Sequence, residues 1–275
     1  MKYPKIGLAL GSGGARGLAH IGVIKVLEEN NIPIDFIAGS SMGAMVGGFY
    51  AANKDINQAE NLASEANLKL ILSLIDPSLR QGMLGGKKVN NFIENQVGGV
   101  SFKDLKIPLS IVATNLKNGD SVVINKGNLA AAIRASISIP IVFKPIAQED
   151  KLLVDGGLSL PVPADIVKKM GADVVIAVNL DADYFSSESK KFGFYKIAEN
   201  SINLLRHHLA YSNIKDADIV INPRVGRIHW NKFLGGQEII AAGEAATREV
   251  LPQLRGLLQK DQGGLKKYLK FLRAK

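Results

Sequence analysis

The stretch IGLALGSGGARGLAH, residues 6–20, passes from a short apolar run into a glycine-rich turn and then into an apolar segment that continues towards residue 30. A run of Ile, Leu and Ala without polar alternation reads as a strand buried on both faces. A glycine turn between such a strand and a helix presents backbone N–H groups, and the positive end of the helix adds to them. The stretch therefore predicts the first strand–turn–helix unit of an α/β fold, with a loop suited to an anion. That anion can be a bound phosphate or a transient oxyanion, and the rest of the chain must decide.

Similar runs recur at IDFIAG (34–39), LSIVAT (109–114), SVVIN (121–125), LLVD (152–155), VVIAVNL (174–180) and DIVIN (218–222). Segments with helical character lie at 16–30, 42–53, 87–97, 128–137 and 163–170. This alternation predicts a mostly parallel sheet covered on both faces. The short step from LSIVAT to SVVIN through Asn118 and Gly119 reads as a hairpin instead. The helix at 16–30 is apolar nearly all round until Lys25, Glu28 and Glu29, so it is expected at the centre of the fold. No linker or repeat divides the chain. One domain over 1–260 followed by a basic tail, 261–275, is the expected organisation. The least regular stretches, 72–86 and 181–195, are expected to be mobile loops.

The chain has 275 residues, a formal charge of +9 and no cysteine. Disulfides, thiolate metal sites and a cysteine nucleophile are thereby excluded. Acidic residues do not cluster at ligand spacing, so neither a metal nor another cofactor is expected. Arg16 and His20 break the longest N-terminal apolar run, and nothing reaches the roughly 18 residues of a membrane span. A soluble, cytoplasmic protein is the expectation. The positive charge suits a phosphate-bearing partner, either nucleic acid or an anionic membrane surface. Much of it sits in LKKYLKFLRAK (265–275), where Leu265, Tyr268, Leu269 and Leu272 fall at i, i+3, i+4 and i+7 among Lys266, Lys267, Lys270, Arg273 and Lys275. Such a basic amphipathic helix either docks on anionic lipid or packs on the core. No nucleic-acid-binding fold surrounds it, so nucleic acid is not an expected partner. Tyr184, Phe185, Phe192, Phe194 and Tyr195 offer a loop that either contacts acyl chains or joins the core.

GSSMG (39–43) fits G-x-S-x-G between a strand and a helix, the setting of a nucleophile elbow. There Ser41 is lifted out of the sheet, Gly39 and Gly43 relieve crowding, and the N–H of Met42 faces the attacked carbonyl. The alternative is a glycine-rich turn whose serine caps a helix. A dinucleotide site is disfavoured, because a third motif glycine would fall at Arg16 and no acid ends the second strand. The P-loop's Lys-Ser/Thr ending is missing too. Neighbouring parallel strands end side by side. The amides of Gly13, Gly14 and Ala15 would then stabilise the oxyanion formed when Ser41 attacks a carbonyl. None of the four histidines ends a strand as a triad base would. His20, His207, His208 and His229 are expected in structural or exposed roles. Asp155 does end a strand, followed by Gly156 and Gly157, although an ordinary Asp-Gly turn reads the same way.

Taken together, GSGGARG (11–17, with Gly11 and Gly17 at its ends), GSSMG, RASISIP (134–140) and DGG (155–157) resemble the patatin-like phospholipases, in their bacterial single-domain type, over roughly 5–250. The resemblance implies a three-layer α/β/α sandwich with a mainly parallel central sheet. It also implies a Ser–Asp dyad without histidine, with Ser41 as nucleophile, Asp155 as its partner, the glycine loop as oxyanion hole and Arg16 in support. RASISIP would lie near the site, or simply end a helix before Pro140, and no catalytic role is assigned to it. The expected activity is hydrolysis of phospholipid or lysophospholipid carboxylic esters. Acyl transfer through the same acyl-enzyme and a non-catalytic interaction protein on the same fold are the rivals.

Overall fold

Ile6, Leu8 and Leu10 of strand β1 (Ile6–Leu10) join one apolar cluster and Ala9 joins another, so the alternation of the strand separates two packed faces. The structure of the protein is a computed structural model that describes residues 4–65, 77–78, 83–84, 86–183, 193–229, 233 and 235–273, with side chains not described at 65, 77–78, 83–84, 194–196, 198–199 and 259–273. Most of the two stretches expected to be loops, and with them Tyr184, Phe185 and Phe192, lie outside the described residues. So do the side chains of Phe194, Tyr195 and the tail.

The remaining strands are β2 (Phe36–Ser40), β3 (Pro77–Ser78), β4 (Met83–Leu84), β5 (Leu109–Asn115), β6 (Ser121–Ile124), β7 (Ile146–Gln148), β8 (Lys151–Asp155), β9 (Val174–Val178) and β10 (Ile219–Ile221). The helices are α1 (Ala19–Glu29), α2 (Met42–Asn53), α3 (Ile56–Glu65), α4 (Lys87–Val97), α5 (Leu129–Ser136), α6 (Ala164–Lys169), α7 (Phe194–Asn213) and α8 (Gly236–Arg273). Eight strands form the main sheet in the order β10-β9-β1-β2-β5-β8-β7, with β6 also paired to β5. The larger face is covered by α1, α2, α3, α4, α5 and α8, and the other by α6 and α7. This is the expected three-layer sandwich. Small residues (Ala9, Ala38, Ala177) line the α6/α7 face, where larger ones (Leu8, Ile37, Ile176) line the opposite face.

The pairs from β10 to β5 are parallel, as expected. Beyond β5 the sheet turns antiparallel, with β8 on β5 and β7 on β8. Only Glu149 and Asp150 separate β7 from β8, far too few residues for a parallel crossover. The predicted hairpin joins β5 to β6, with Gly119 at φ 81° in its turn. The helix expected from residue 16 starts as a 3-10 turn over Gly14–Leu18 and becomes α-helical at Ala19. Residues 261–273 do not form a short helix of their own, since α8 runs unbroken to Arg273. No helix among the described residues is long and apolar enough to cross a membrane.

Candidate active site

Ser41 stands between β2 and α2 with φ 54° and ψ −120°, a strained conformation for a residue with a side chain. The turn is forced by crowding: a Cβ on Gly43 would come within 2.1 Å of the Leu10 carbonyl oxygen. Ser41 occupies the N-cap position of α2, yet its side chain makes no capping hydrogen bond. Its hydroxyl donates to Asp155 Oδ2 at 2.5 Å instead. The helix-cap alternative is thereby set aside by the geometry.

That contact spans 114 positions and follows from strand registers. Ser40 pairs with Val112 of β5, and Asp155 pairs with the next residue, Ala113. Because β6 occupies the opposite edge at both Val112 and Ala113, β2 and β8 lie end to end along one edge of β5. Their carboxyl ends therefore meet. Gly156 lets them close, since a Cβ there would lie 2.2 Å from the Val112 carbonyl oxygen. Asp155 Oδ1 accepts the N–H of Gly157 at 2.8 Å, so the Asp-Gly turn and the contact to serine coexist, one oxygen each. The Asp155 backbone is fixed as well, its N–H by the Ser138 carbonyl at 3.0 Å and its carbonyl by Thr114 Oγ1 at 2.8 Å. Burial pushes the Asp155 carboxyl up to about 6, against the opposing pull of Ser41, the Gly157 N–H and Arg206.

The glycine loop packs directly against the elbow. A Cβ on Gly17 would meet Met42 Cγ at 2.2 Å, and one on Gly43 would also meet the Gly11 oxygen at 2.8 Å. Gly11 and Ser12 are tied by their N–H groups to Val178 and Pro161. Gly13 is the N-cap of the 3-10 turn, so the N–H groups of Gly14 and Ala15 that follow have no partner within it. The N–H of Met42 is likewise the first of α2. Arg16, 2% exposed, donates from Nε to the Gly13 carbonyl at 3.3 Å and from Nη2 to Asp181 at 3.0 Å. Fixing the Gly13 carbonyl orients the planar peptide that carries the Gly14 N–H.

Asp181 is shared with Arg206 of α7, which grips it bidentately at 2.9 and 2.8 Å. Burial raises the Asp181 carboxyl, but the Arg206 and Arg16 guanidinium groups outweigh it and hold the group below the usual carboxylate range. His207 Nδ1 lies 2.6 Å from the Asp181 carbonyl oxygen. His20 is fully buried and donates from Nε2 to the Gly11 carbonyl at 2.7 Å, and burial lowers its pKa to about 4. It braces the glycine loop as a neutral ring.

The structure thus brings together Ser41, Asp155, Met42 and the loop 11–17, with the glycines at 39, 43, 156 and 157 at the points of close approach. RASISIP, expected near the site but given no role there, holds both halves of the pair. Ser136 Oγ accepts the Ser41 N–H at 2.8 Å and donates to the Val112 carbonyl at 2.6 Å, while Ser138 holds Asp155. The alternating serines of that motif were its visible signal. Asp181 just after the end of β9 carried a weaker one, and Arg206 none.

Comparisons with known proteins place the chain by its sequence and fold. An uncharacterized NTE family protein of Mycobacterium tuberculosis is 46% identical over 179 residues, which cover 65% of this chain and 49% of that protein. A protein of Emericella nidulans named lysophospholipase nte1 is 34% identical over 181 residues, 64% of this chain and 12% of its own length. The chain therefore spans about half or less of the length of these relatives. Among solved structures, VipD from Legionella pneumophila superposes with a TM-score of 0.66 at 13% identity, covering 92% of this chain and 67% of that one, a likeness of fold alone. The profile of the patatin-like phospholipases matches residues 8–168, more than half of the 275, and with that match the chain belongs to the patatin-like phospholipase family.

Proposed function

We propose that the protein is a serine acyl hydrolase that cleaves carboxylic esters of phospholipids or lysophospholipids through Ser41 and Asp155. The observation that carries this reading is the 2.5 Å hydrogen bond between a strained elbow serine and a buried carboxyl whose pKa lies near 6. Such a carboxylate is mostly ionised at pH 7 and is a stronger base than an exposed aspartate.

In the first half-reaction Asp155 takes the Ser41 proton as Oγ bonds to the substrate carbonyl carbon. The N–H groups of Gly14, Ala15 and Met42 stabilise the resulting oxyanion. The oxyanion collapses, the ester C–O bond breaks, and the proton on Asp155 passes to the departing alcohol. In the second, water gives a proton to Asp155 and attacks the acyl-enzyme, and that proton returns to Ser41 as the fatty acid leaves. The name of the Emericella relative supports the expected inclusion of lysophospholipids in the substrate class. The spacing of Leu265, Tyr268, Leu269 and Leu272 supports peripheral docking of the end of α8 on anionic lipid.

Hydrolysis of a short acyl ester and of a lysophospholipid is to be followed for the wild type, Ser41→Ala and Asp155→Asn. Each variant is expected to lose roughly 10³-fold or more in kcat, with the double variant little worse than either alone. Equal rates in all three would place any activity elsewhere. Co-sedimentation of a chain ending at 264 with anionic vesicles tests the docking element, and undiminished binding would remove it.

A further inference from the structure

Arg134, in the last turn of α5, is 4% exposed. Its Nη1 donates to Ser138 Oγ at 2.7 Å, and the guanidinium stacks over the Phe143 ring 4.9 Å from its centroid. Nη2 is buried with no hydrogen-bond acceptor among the described residues. Among the described residues no carboxylate forms an ion pair with it, whereas Arg16 and Arg206 share Asp181. Burial pulls its pKa down, but a guanidinium stays protonated in proteins, so the charge remains. A buried charge without a partner is costly, and its presence asks for a counter-ion.

The surroundings carry the same sign. Nη2 lies against Gly86, where a Cβ would come within 2.1 Å of it. Gly86 is the N-cap of α4, with φ 76° and no side-chain cap, and the first turn of this eleven-residue helix carries no acid. The leading N–H groups of α4 lack intrahelical acceptors and hold the positive end of the helix dipole at the same place. Lys87 and Lys88 are exposed on that turn.

We propose that Arg134 and the amino end of α4 form a binding site for a phosphate group, with Nη2 and the first N–H groups of α4 as its donors. The phosphate belongs either to a lipid headgroup or to a free phosphate. The site is mechanically joined to the dyad, because Ser138 both accepts from Arg134 and fixes the Asp155 N–H.

The test uses the full chain and inorganic phosphate, titrated at constant ionic strength against chloride and read by ³¹P line width and by thermal melting. In the wild type, saturable line broadening and a rise in Tm are expected. Arg134→Met is expected to lose both and, in phosphate-free buffer, to be no less stable than the wild type, since it removes an uncompensated charge. If it does not fold, Arg134→Lys serves, with binding weakened about tenfold by loss of the planar fork. Phosphate acting no more than chloride, or equally on wild type and variant, overturns the site. A second arm, resting on the lipid-hydrolase reading, compares KM for lysophosphatidate and for monoacylglycerol. A ratio raised in Arg134→Met identifies a headgroup, and an unchanged ratio beside lost phosphate binding identifies free phosphate. The titration does not require hydrolysis, so failure of the enzyme reading leaves its outcome readable.

Discussion

Ser136 holds Ser41 by the main chain: its hydroxyl accepts the strained residue's N–H at 2.8 Å and donates to the Val112 carbonyl at 2.6 Å. Ser136→Ala leaves a buried donor and a buried carbonyl without their partner, a loss of about 1–3 kcal/mol. Urea unfolding is expected to show that loss. With Ser41 as the proposed nucleophile, kcat is expected to fall with KM little changed.

The pH profile should report Asp155. With its pKa near 6, kcat/KM is expected to rise about tenfold per unit below pH 6 and to flatten above it. An acid limb near the ordinary aspartate value would mean that another group controls the rate.

Stability adds a second, opposite pair of signs. Asp155 has a raised folded pKa, so its ionisation costs stability as pH climbs from about 4 to 6; Asp155→Asn should stabilise the protein by about 3 kcal/mol above that window and not at all below it. His20 has a lowered folded pKa, so stability is lost as pH falls from 6.5 towards 4, by about 3 kcal/mol. The two nearly cancel in the wild type. Urea midpoints for His20→Gln and Asp155→Asn, taken at pH 7.5 and pH 4, should therefore diverge in opposite directions, and parallel shifts would contradict both assignments.

Asp181→Asn removes the carboxylate that Arg16 and Arg206 share and leaves two guanidinium groups facing each other. A loss of about 3–5 kcal/mol is expected. Loosening of the Gly13 peptide should lower kcat in the fraction that remains folded, whereas unchanged kinetics would limit Asp181 to stability.

Two glycines should respond with opposite signs. Gly43→Ala drives a Cβ to 2.1 Å from the Leu10 carbonyl oxygen and should prevent folding of the elbow, seen as loss of soluble active protein. Gly256, exposed inside α8, has nothing within 4 Å of a built Cβ. Gly256→Ala should raise stability by about 0.5–1 kcal/mol.

The sheet and the elbow were legible because their signals are local. The bounds read for α2 and α4 coincide with the structure, since a glycine turn opens the one and Gly86 and Gly98 flank the other. The antiparallel direction of β8 was not foreseen, because LLVD at 152–155 looks like any buried strand and its direction depends on the two-residue turn before it. Asp155 was legible as an end-of-strand acid, but its proximity to Ser41 lies in registers that no single stretch contains. Arg206 was hidden for the same reason: its partner is 25 positions away and belongs to another element.

The end-to-end arrangement of β2 and β8 on one edge of β5 also sets an order of assembly. A nascent chain that has emerged only through β5 already holds the glycine loop and the serine turn, but not the carboxylate to which the Ser41 hydroxyl donates. That carboxylate arrives with β8, some forty residues later, and the Asp181 anchor later still. Under the proposed mechanism, the growing polypeptide gains its acyl-transfer chemistry only when its sheet is nearly complete.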